Sequence, residues 1–358
     1  MRTALLTNFH LKTGMGKYAF ELYKNLKNKI EVDLIGPIGP DEVKGVREIK
    51  EPKLPFLSKT LNAYFYYPRI TKSLDNYDIY HLTSEFITRA AKFKKPSVVT
   101  VTDIIFLKIG DSPFFTRYFL KKSLEHLKSA ERIISISEYT KKDIIDFFDI
   151  DEKKIVVTLL GVDEIFKKRD KLKCRKSLDL PEDKRIILNV GSEEPRKNIP
   201  LLIKSFHKLQ KNMDDLILIR VGEKRPEITA LVRELGLENK VRHFSNVPEE
   251  KLALFYSASD LFVFPSYYEG FGLPPLEAMA SGCPVITSNK TSLPEVVGDA
   301  GILIDPMDGD KLTEKMNEIL TNDKIRNDLI LSGLKRARKM TWKRTAKETL
   351  KVYEGVLK

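Results

Sequence analysis

The sequence predicts an α/β protein with two domains, each built on a parallel sheet covered by helices. Short apolar runs rich in Val and Ile alternate with segments of 3.6-residue periodicity, which is typical of parallel sheets. The chain has 358 residues, and single hydrophobic cores stop growing near ~250–300 residues, so we expect two domains. Residues 163–176 are charge-dense and lack an apolar period, and we interpret them as an interdomain linker.

Eleven apolar runs of strand length fall into two sets on either side of this segment. Such runs, bounded by turn residues, indicate buried strands. In the first set they are residues 4–7, 32–35, 78–81, 98–101 and 132–136, and in the second 185–190, 216–221, 241–244, 261–264, 285–287 and 302–304.

Capping residues and prolines indicate where several helices begin. A helix is predicted from Gly16 to about residue 27, another after a cap at Ser137 or Glu138, and a third opened by Pro274-Pro275. Residues 341–358 carry apolar side chains at helical spacing, so this last segment could dock back on the first domain. We therefore predict an N-terminal domain of residues 1–164 plus 341–358 and a C-terminal domain of residues 165–340.

Composition excludes several classes of protein. Hydrophobic residues make up 42% and charged residues 31% of the chain, which is typical of a globular protein rather than a disordered or collagen-like one. The two cysteines, Cys174 and Cys283, cannot form a disulfide framework, and no Cys/His cluster has the spacing of metal ligands. The N-terminal apolar stretch is too short for a signal peptide, and no run reaches the ~18 residues of a membrane span. We expect a cytoplasmic protein.

The net charge of +12 is concentrated in two regions. Residues 53–132 hold 14 basic and 7 acidic side chains, and residues 333–358 hold 9 and 2. Basic residues alternate with aromatic ones in segments 55–69 and 113–122, a combination that suits the interface of a membrane as well as it suits internal packing. No nucleic-acid-binding module is recognisable, so nucleic acid is not an expected partner.

The strongest motif is SYYEGFGLPPLE at residues 266–277, between a predicted strand and a predicted helix. Gly270 and Gly272 allow the backbone to approach a ligand, and amides before a helix favour anions such as phosphate. Glu277 could accept hydrogen bonds from a ribose diol, and Glu269 would lie close to the ligand on the loop.

Two further glycine-containing loops follow predicted strands. GSEEPRKN at residues 191–198 places Arg196 and Lys197 at the carboxyl end of a parallel strand, where they could neutralise a diphosphate. TGMGKY at residues 13–18 permits close backbone approach through Gly14 and Gly16, but it is not the full G-x-G-x-x-G fingerprint.

Together these motifs resemble those of family 4 of the retaining glycosyltransferases, and the resemblance covers nearly the whole chain. IVVTLLGVDEIF at residues 155–166 is similar to the family's domain-crossing segment, and SEYTKKD and SLPEVVGDA agree as well. The resemblance implies the GT-B fold, in which two Rossmann-like domains face each other across a cleft. It also implies transfer of a sugar from a nucleotide diphosphate sugar with retained anomeric configuration and with no metal or cofactor.

The resemblance assigns roles to individual residues. Lys197 matches the lysine that contacts the donor phosphates, Glu277 the glutamate on the ribose, and Glu269 the first glutamate of an E-x7-E pair. Backbone groups are expected to contact the donor near Gly14, Gly16, Phe271, Gly272, Leu273 and, beside the base, Val247.

The chain departs from the family's pattern at two positions. Many relatives have Gly-Arg where this chain has Gly191-Ser192, and Arg196 is the candidate to replace that phosphate cation. Relatives commonly place a histidine near the transferred sugar at the position of Thr102, so its role falls to Thr102, to Asp103 or to neither. His81, which follows a predicted strand, is a further residue that could face the cleft, and His243 lies in a strand before the loop near the base.

The resulting prediction is a retaining, metal-independent glycosyltransferase with its donor in the C-terminal domain. The sequences of its donor motifs most resemble those of the mannosyltransferase-like branch, so the favoured donor is GDP-mannose. The mannose would be transferred to a glycan or a lipid-linked acceptor bound by the N-terminal domain. Residues 55–69 and 113–122 would contact the cytoplasmic face of the membrane. The alternatives are a UDP-sugar donor, a catalytically silent nucleotide-sugar-binding subunit and a nucleotide-sugar epimerase.

Overall fold

A computed structural model describes residues 1–10, 14–37, 46–49, 59–109 and 113–358. The chain divides into two compact units, one of residues 1–161 with 342–358 and one of residues 162–341. The sequence places the corresponding boundaries after residues 164 and 340.

The first unit is a seven-stranded parallel sheet with helices between its strands, as far as the described residues extend. The strands are β1 (Arg2–Leu6), β2 (Glu31–Gly36), β3 (Val46–Glu48), β4 (Ile79–Leu82), β5 (Ser97–Val101), β6 (Arg132–Ser135) and β7 (Ile155–Val157). The helices are α1 (Gly14–Leu26), α2 (Lys59–Ser73), α3 (Ile105–Lys108), α4 (Phe114–Leu124) and α5 (Glu138–Phe148), with a 3₁₀ segment at Glu85–Lys92. The strand order β3-β2-β1-β4-β5-β6-β7 is that of a doubly wound, Rossmann-like sheet.

The second unit repeats this architecture with a six-stranded parallel sheet. Its strands are β8 (Arg185–Val190), β9 (Leu216–Val221), β10 (Val241–Phe244), β11 (Leu261–Phe264), β12 (Val285–Ser288) and β13 (Ile302–Ile304). Its helices are α6 (Lys171–Ser177), α7 (Ile199–Gln210), α8 (Pro226–Glu234), α9 (Glu249–Ala258), α10 (Leu273–Ala280), α11 (Leu293–Val297), α12 (Gly309–Thr321) and α13 (Asp323–Ala337). The order β10-β9-β8-β11-β12-β13 reverses direction beside β8, and in such sheets ligands bind at the carboxyl ends of the strands near this point.

Burial on both faces of the central strands explains why they appear in the sequence as continuous apolar runs. Leu82, Val99 and Ile133 are fully buried in the core of the first unit, and Leu218 and Val263 in that of the second. All eleven predicted runs form strands. The two-domain α/β fold predicted from the sequence is thus confirmed, whereas β3 and β7, each of three residues, have no counterpart among the predicted runs.

The last helix, α14 (Trp342–Leu357), belongs to the first unit, as the spacing of its apolar residues predicts. The rings of Trp342 and Tyr18 lie 6.3 Å apart between centroids, and the hydroxyl of Thr345 donates to the carbonyl of Leu159 at 2.7 Å. The return of the chain therefore rests on packing and on hydrogen bonds.

His81 is part of this packing rather than of a ligand site, so the expectation that it could face the cleft is wrong. Its ring nitrogens lie 2.6 Å from the Tyr353 hydroxyl and 2.7 Å from the Thr100 hydroxyl, and the side chain is fully buried. Burial lowers the pKa of His81 to about 3, which keeps the imidazole neutral at pH 7.

The linker interpretation is wrong for the second half of segment 163–176. Asp170 accepts a hydrogen bond from the amide of Lys173 and caps α6, and Arg175 of that helix is only 4% exposed. Its guanidinium binds Asp260 at 2.7 Å and the carbonyl of Ala258 at 3.0 Å. One of the charges in this segment, that of Arg175, therefore belongs to a buried ion pair that fixes α6 within the second unit.

No helix in the described ranges is long and apolar enough to span a bilayer.

Candidate functional site

The loop after β8 places two cations at the carboxyl end of the second sheet. Gly191 leaves the strand with φ of +137°, a conformation that side chains rarely adopt. A short 3₁₀ turn at Pro195–Lys197 follows, and Asn198 anchors its end by donating to the carbonyl of Pro306 at 2.7 Å. The backbone of the loop thus directs Lys197 inward, where its side chain is 9% exposed.

Lys197 and Arg196 share one carboxylate, that of Glu269. The Lys197 ammonium lies 2.7 Å from one oxygen of Glu269, and the Arg196 guanidinium lies 3.2 Å from the other. The ring of Phe264 stands 4.9 Å from the ammonium nitrogen. Burial alone would raise the pKa of Glu269, but attraction to Lys197 and Arg196 outweighs it and lowers that pKa. Three of the predicted site residues therefore form one charged cluster. Arg196 also pairs with Glu194 at 2.8 Å, so the two cations and two carboxylates together carry no net charge.

Hydrogen bonds hold Glu269 and the loop that follows it. The amide of Glu269 donates to the Thr291 hydroxyl at 3.1 Å, and the hydroxyl of Ser292 lies 2.8 Å from the carbonyl oxygens of both Glu269 and Phe271. Gly272 has φ of +117°, and a Cβ there would meet Leu293 at 2.8 Å. The loop is thereby fixed in a shape that requires glycine at this position. Phe271, Gly272 and Leu273 lie where it enters α10.

Glu277 lies in the first turns of α10, where its carboxylate is tied to a buried tyrosine. The hydroxyl of Tyr256 donates to Glu277 Oε2 at 2.9 Å. Burial, and then the negative charge of Glu277, raise the pKa of Tyr256 well above its usual value, so the tyrosine stays a hydrogen-bond donor. Glu277 itself is partly exposed. A carboxylate that is oriented by a buried hydrogen-bond donor and remains partly exposed is suited to accept hydrogen bonds from a ligand.

A buried ionic network supports the β8 loop from below, and the sequence analysis does not identify it. Arg220 of β9, 1% exposed, donates to the carbonyl of Gly191 at 3.2 Å and lies 3.6 Å from the carboxylate of Glu193. Glu193 also accepts from the amide of Arg225 at 2.5 Å, and His243 lies 3.7 Å away. An arginine at an inward position of the strand LILIRV is the signal that points to this network.

The base-proximal position predicted from the sequence lies on the loop after β10. Val247 is half-buried there and follows Asn246, whose φ is +52°. His243 lies on β10 itself, and its Nε2 is 3.7 Å from the Glu193 carboxylate, beyond hydrogen-bond distance. Burial, together with the charges of Arg220 and Lys224, lowers the pKa of His243.

In the first unit, Thr102 and Asp103 follow β5, as predicted, but Thr102 is bound by a residue that the sequence analysis missed. Glu85, which is 1% exposed, accepts hydrogen bonds from the Thr102 amide at 3.2 Å and from the Thr102 hydroxyl at 3.0 Å. Asp103 is only partly buried, and its carboxylate accepts from the amide of Ile105 at 3.0 Å. Position 85 directly follows the end of β4 and its loop, where an acidic residue could have been flagged.

The glycine loop of the first unit is described from its second residue onward. Gly14 begins α1 and is exposed, and a Cβ on it would meet no atom within 4 Å. Gly16, two positions further along the helix, is buried. Thr13, the first residue of the predicted motif, lies outside the described residues.

A cluster of exposed aromatic side chains covers α4 and the adjoining face of α2. Phe114 is 74% exposed, Phe115 66% and Tyr118 48%, and Phe65 of α2 packs on Phe119 at 5.7 Å between ring centroids. Arg117, Lys121 and Lys122 lie on the same short helix. Residues 55–58 of the predicted basic-aromatic segment lie outside the described residues.

Two Rossmann-like units of this strand order, with paired cations and glutamates around the carboxyl ends of the second sheet, are the architecture of the GT-B fold. The sequence matches the family model "Glycosyl transferases group 1" over residues 170–336 and the model "Glycosyltransferase Family 4" over residues 12–165.

Individual relatives agree with these matches. The chain is 32% identical over 368 residues to the O-antigen chain mannosyltransferase B of Escherichia coli, with 96% of each chain covered. Its fold is similar to that of a sucrose-phosphate synthase from Thermosynechococcus elongatus, with a TM-score of 0.83, 21% identity and coverage of 99% and 98%. It is also similar to Anabaena HepE solved with UDP and glucose, with a TM-score of 0.80, 16% identity and coverage of 99% and 100%. The chain belongs to family 4 of the glycosyltransferases.

Proposed function

We propose that this glycosyltransferase transfers mannose from GDP-mannose to a glycan or lipid-linked acceptor, with retention of the anomeric configuration and without a metal ion. The observation that carries the donor-phosphate site is the cluster in which Lys197 and Arg196, from the loop after β8, bind Glu269, from the loop that leads into the helix of Glu277. The choice of mannose is supported by the relative named O-antigen chain mannosyltransferase B.

Lys197 and Arg196 would bind the diphosphate, and Glu277 the ribose. An ammonium has three N–H donors, and in the described part of the chain the Lys197 ammonium gives one hydrogen bond, to Glu269. Its remaining donors suit phosphate oxygens. Because charge-assisted bonds are strong in a buried site, the cluster can stabilise the negative charge that develops on the departing diphosphate, which is the task that Mg²⁺ performs in other transferases.

In the proposed reaction the bond between the sugar C1 and the phosphate oxygen breaks while an acceptor hydroxyl attacks C1 from the same face. The acceptor proton passes to an oxygen of the leaving GDP, so no separate enzyme base is needed. Glu269 holds the two cations in place, and Asp103 would accept a hydrogen bond from a sugar hydroxyl. Trapping of a covalent glycosyl–enzyme species would contradict this front-face mechanism.

The acceptor would bind to the first unit, and its lipid would be reached through the aromatic cluster on α4. Phe114, Phe115 and Tyr118 offer apolar surface, and Lys121 and Lys122 offer positive charge beside it, a combination that matches an anionic bilayer surface. Sedimentation with vesicles of anionic and of neutral lipid tests this contact. The Phe114→Ser/Phe115→Ser double variant should lose the binding to anionic vesicles, and full retention would contradict it.

The transfer itself is tested with the purified protein, GDP-mannose and UDP-glucose as donors, and a panel of glycan and polyprenyl-linked acceptors, all in EDTA. We expect release of GDP that depends on the acceptor, and an α-linked product by NMR. Turnover with UDP-glucose but not with GDP-mannose would show that the donor is a uridine sugar. A β-linked product would exclude retention of the anomeric configuration, and loss of activity in EDTA would exclude a metal-free reaction.

A further inference from the structure

The first unit contains a buried carboxyl group for which the proposed reaction has no role. Glu85 begins the 3₁₀ segment Glu85–Lys92 and is 1% exposed. It has no ion-pair partner among the described residues. A carboxylate buried without a cation is costly, so such a group normally stays protonated.

The contacts of Glu85 all point to the end of β5. One of its oxygens accepts hydrogen bonds from both the amide and the hydroxyl of Thr102, at 3.2 and 3.0 Å. The carbonyl of Thr102 is in turn contacted by the hydroxyl of Thr140 at 3.3 Å. Thr102 is therefore held on both sides, and the direction in which Asp103 leaves the strand depends on Glu85.

Burial, and then the nearby charge of Asp103, raise the pKa of Glu85 to about 8. Titratable groups on the elements packed around Glu85 have other neighbours. On the 3₁₀ turn Glu125–Ser129, burial and the charges of Lys92 and Arg89 lower the pKa of His126. His81 of β4 binds Thr100 and Tyr353, and Arg89 of the same 3₁₀ segment donates to the carbonyl of Tyr64. The buried side chains of α4 are Leu120, Ser123 and Leu124. Asp103 is thus the charge that Glu85 meets.

We propose that Glu85 is a positioning residue that acts in its neutral form, holding Thr102 so that Asp103 is aimed at the sugar or acceptor. Loss of the proton places a second negative charge beside Asp103 in a buried site, which repels Asp103 and weakens the transfer reaction. The inference rests on the proposed function only in placing Asp103 near the sugar.

Three variants separate this role from a purely structural one. Glu85→Gln keeps an oxygen that can accept both Thr102 hydrogen bonds but cannot ionise. Glu85→Ala leaves the Thr102 amide and hydroxyl buried without their acceptor. Glu152→Gln changes an exposed glutamate paired with Lys141 and serves as the matched control.

The experiment measures kcat and KM of the full-length enzyme from pH 6 to pH 10. We expect wild-type and Glu152→Gln activity to fall above about pH 8. Glu85→Gln should lie within a few-fold of wild type at pH 6.5 and lack this alkaline fall. In Glu85→Ala kcat should be roughly ten- to a hundredfold below that of wild type at pH 6.5, because loss of a buried acceptor costs about 1–3 kcal/mol. It should show no alkaline fall of its own, because alanine has no group to ionise. An unchanged alkaline fall in Glu85→Gln, or activity as low as that of Glu85→Ala at pH 6.5, would overturn the proposal.

Two further measurements keep the test decisive. If the Glu85 variants fold poorly, the Tm values of wild type and Glu85→Gln are compared at pH 6 and at pH 9 instead of the rates. The same difference in Tm between the two proteins at both pH values would overturn the claim that Glu85 is neutral in the folded protein. Wild-type activity in Asp103→Ala would overturn the claim that Glu85 acts by positioning Asp103. Nucleotide binding to the second unit does not depend on Asp103, so this result would leave the proposed donor site untouched and can be distinguished from its failure.

Discussion

Replacement of Lys197 by methionine tests the charged cluster of the second unit through its stability. The change keeps most of the side-chain volume but removes the ammonium that lies 2.7 Å from Glu269. Loss of one partner of a buried ion pair costs about 3–5 kcal/mol. Arg196 still contacts Glu269 at 3.2 Å, so we expect a loss at the lower end, about 3 kcal/mol.

Thermal and urea unfolding at pH 7 measure this loss. At roughly 2–4 °C per kcal/mol for a domain of 150–250 residues, the Tm of the second unit should fall by roughly 6–12 °C. Combination with Glu269→Gln in a double-mutant cycle isolates the pair, because the double variant buries neither charge. Losses of the two single variants that simply add in the double variant would refute the pairing.

The pH dependence of this loss has a defined sign. The two cations lower the pKa of Glu269 in the folded protein below its usual value of about 4.5, so the stability that it contributes is present above that value. This contribution is lost as the pH falls through the lowered pKa. The gap between wild type and Lys197→Met should therefore narrow as the pH falls from 7 toward 3, and a constant gap would contradict the assignment.

Three further changes have definite expected results. Gly222 directly follows β9 with φ of +147°, and a Cβ there would lie 2.1 Å from the carbonyl oxygen of Gly191. Gly222→Ala should therefore displace the loop of Gly191 that carries Lys197, lower Tm and weaken nucleotide binding by roughly tenfold or more; unchanged affinity in isothermal titration would contradict this. Glu277→Gln should weaken GDP binding roughly tenfold or more, since hydrogen bonds to a charged group are worth about 1.5–3 kcal/mol, and Tyr256→Phe should weaken it less; equal affinity in all three proteins would remove Glu277 from the site. Glu85→Gln should gain stability relative to wild type as the pH rises from about 4.5 to 8, because a raised pKa makes the folded state lose stability over that range; urea unfolding at several pH values measures it, and a flat difference would refute it.

The sequence predicts the fold well because parallel strands buried on both faces leave apolar runs that local patterns reveal. β3 escapes prediction because its sequence, Val-Arg-Glu, leaves no such run. The apolar run Ile-Val-Val of β7 is present in the sequence, but it lies within the segment interpreted as the domain crossing. In segment 163–176, by contrast, the local pattern was misleading. Its charges resemble those of a linker, but Arg175 is buried by a tertiary partner, Asp260, that lies 85 residues away in the chain.

The residues of the candidate site also differ in whether a local pattern or a tertiary contact defines their role. Lys197, Glu269 and Glu277 lie in compact motifs whose glycines and prolines dictate local geometry, and they can be selected from the sequence. Glu85 and Arg220 occupy positions that the sequence could flag, but their roles cannot be inferred from it, because both depend on contacts with other elements of the sheet and its connections. Nothing near Glu85 in the sequence shows that Thr102, 17 residues later, binds it.

The most direct test of the donor site is isothermal titration of the protein with GDP, UDP, ADP, GDP-mannose and UDP-glucose in EDTA, repeated with Lys197→Met. The proposed function predicts binding of GDP and GDP-mannose without metal, weakened roughly ten- to a hundredfold in Lys197→Met, since a charge-assisted hydrogen bond is worth about 1.5–3 kcal/mol. Preference for UDP would move the donor to a uridine sugar and leave the site in place. No binding of any nucleotide up to millimolar concentration, or equal affinity in the variant, would contradict the assignment of Lys197 and its cluster to the donor phosphates.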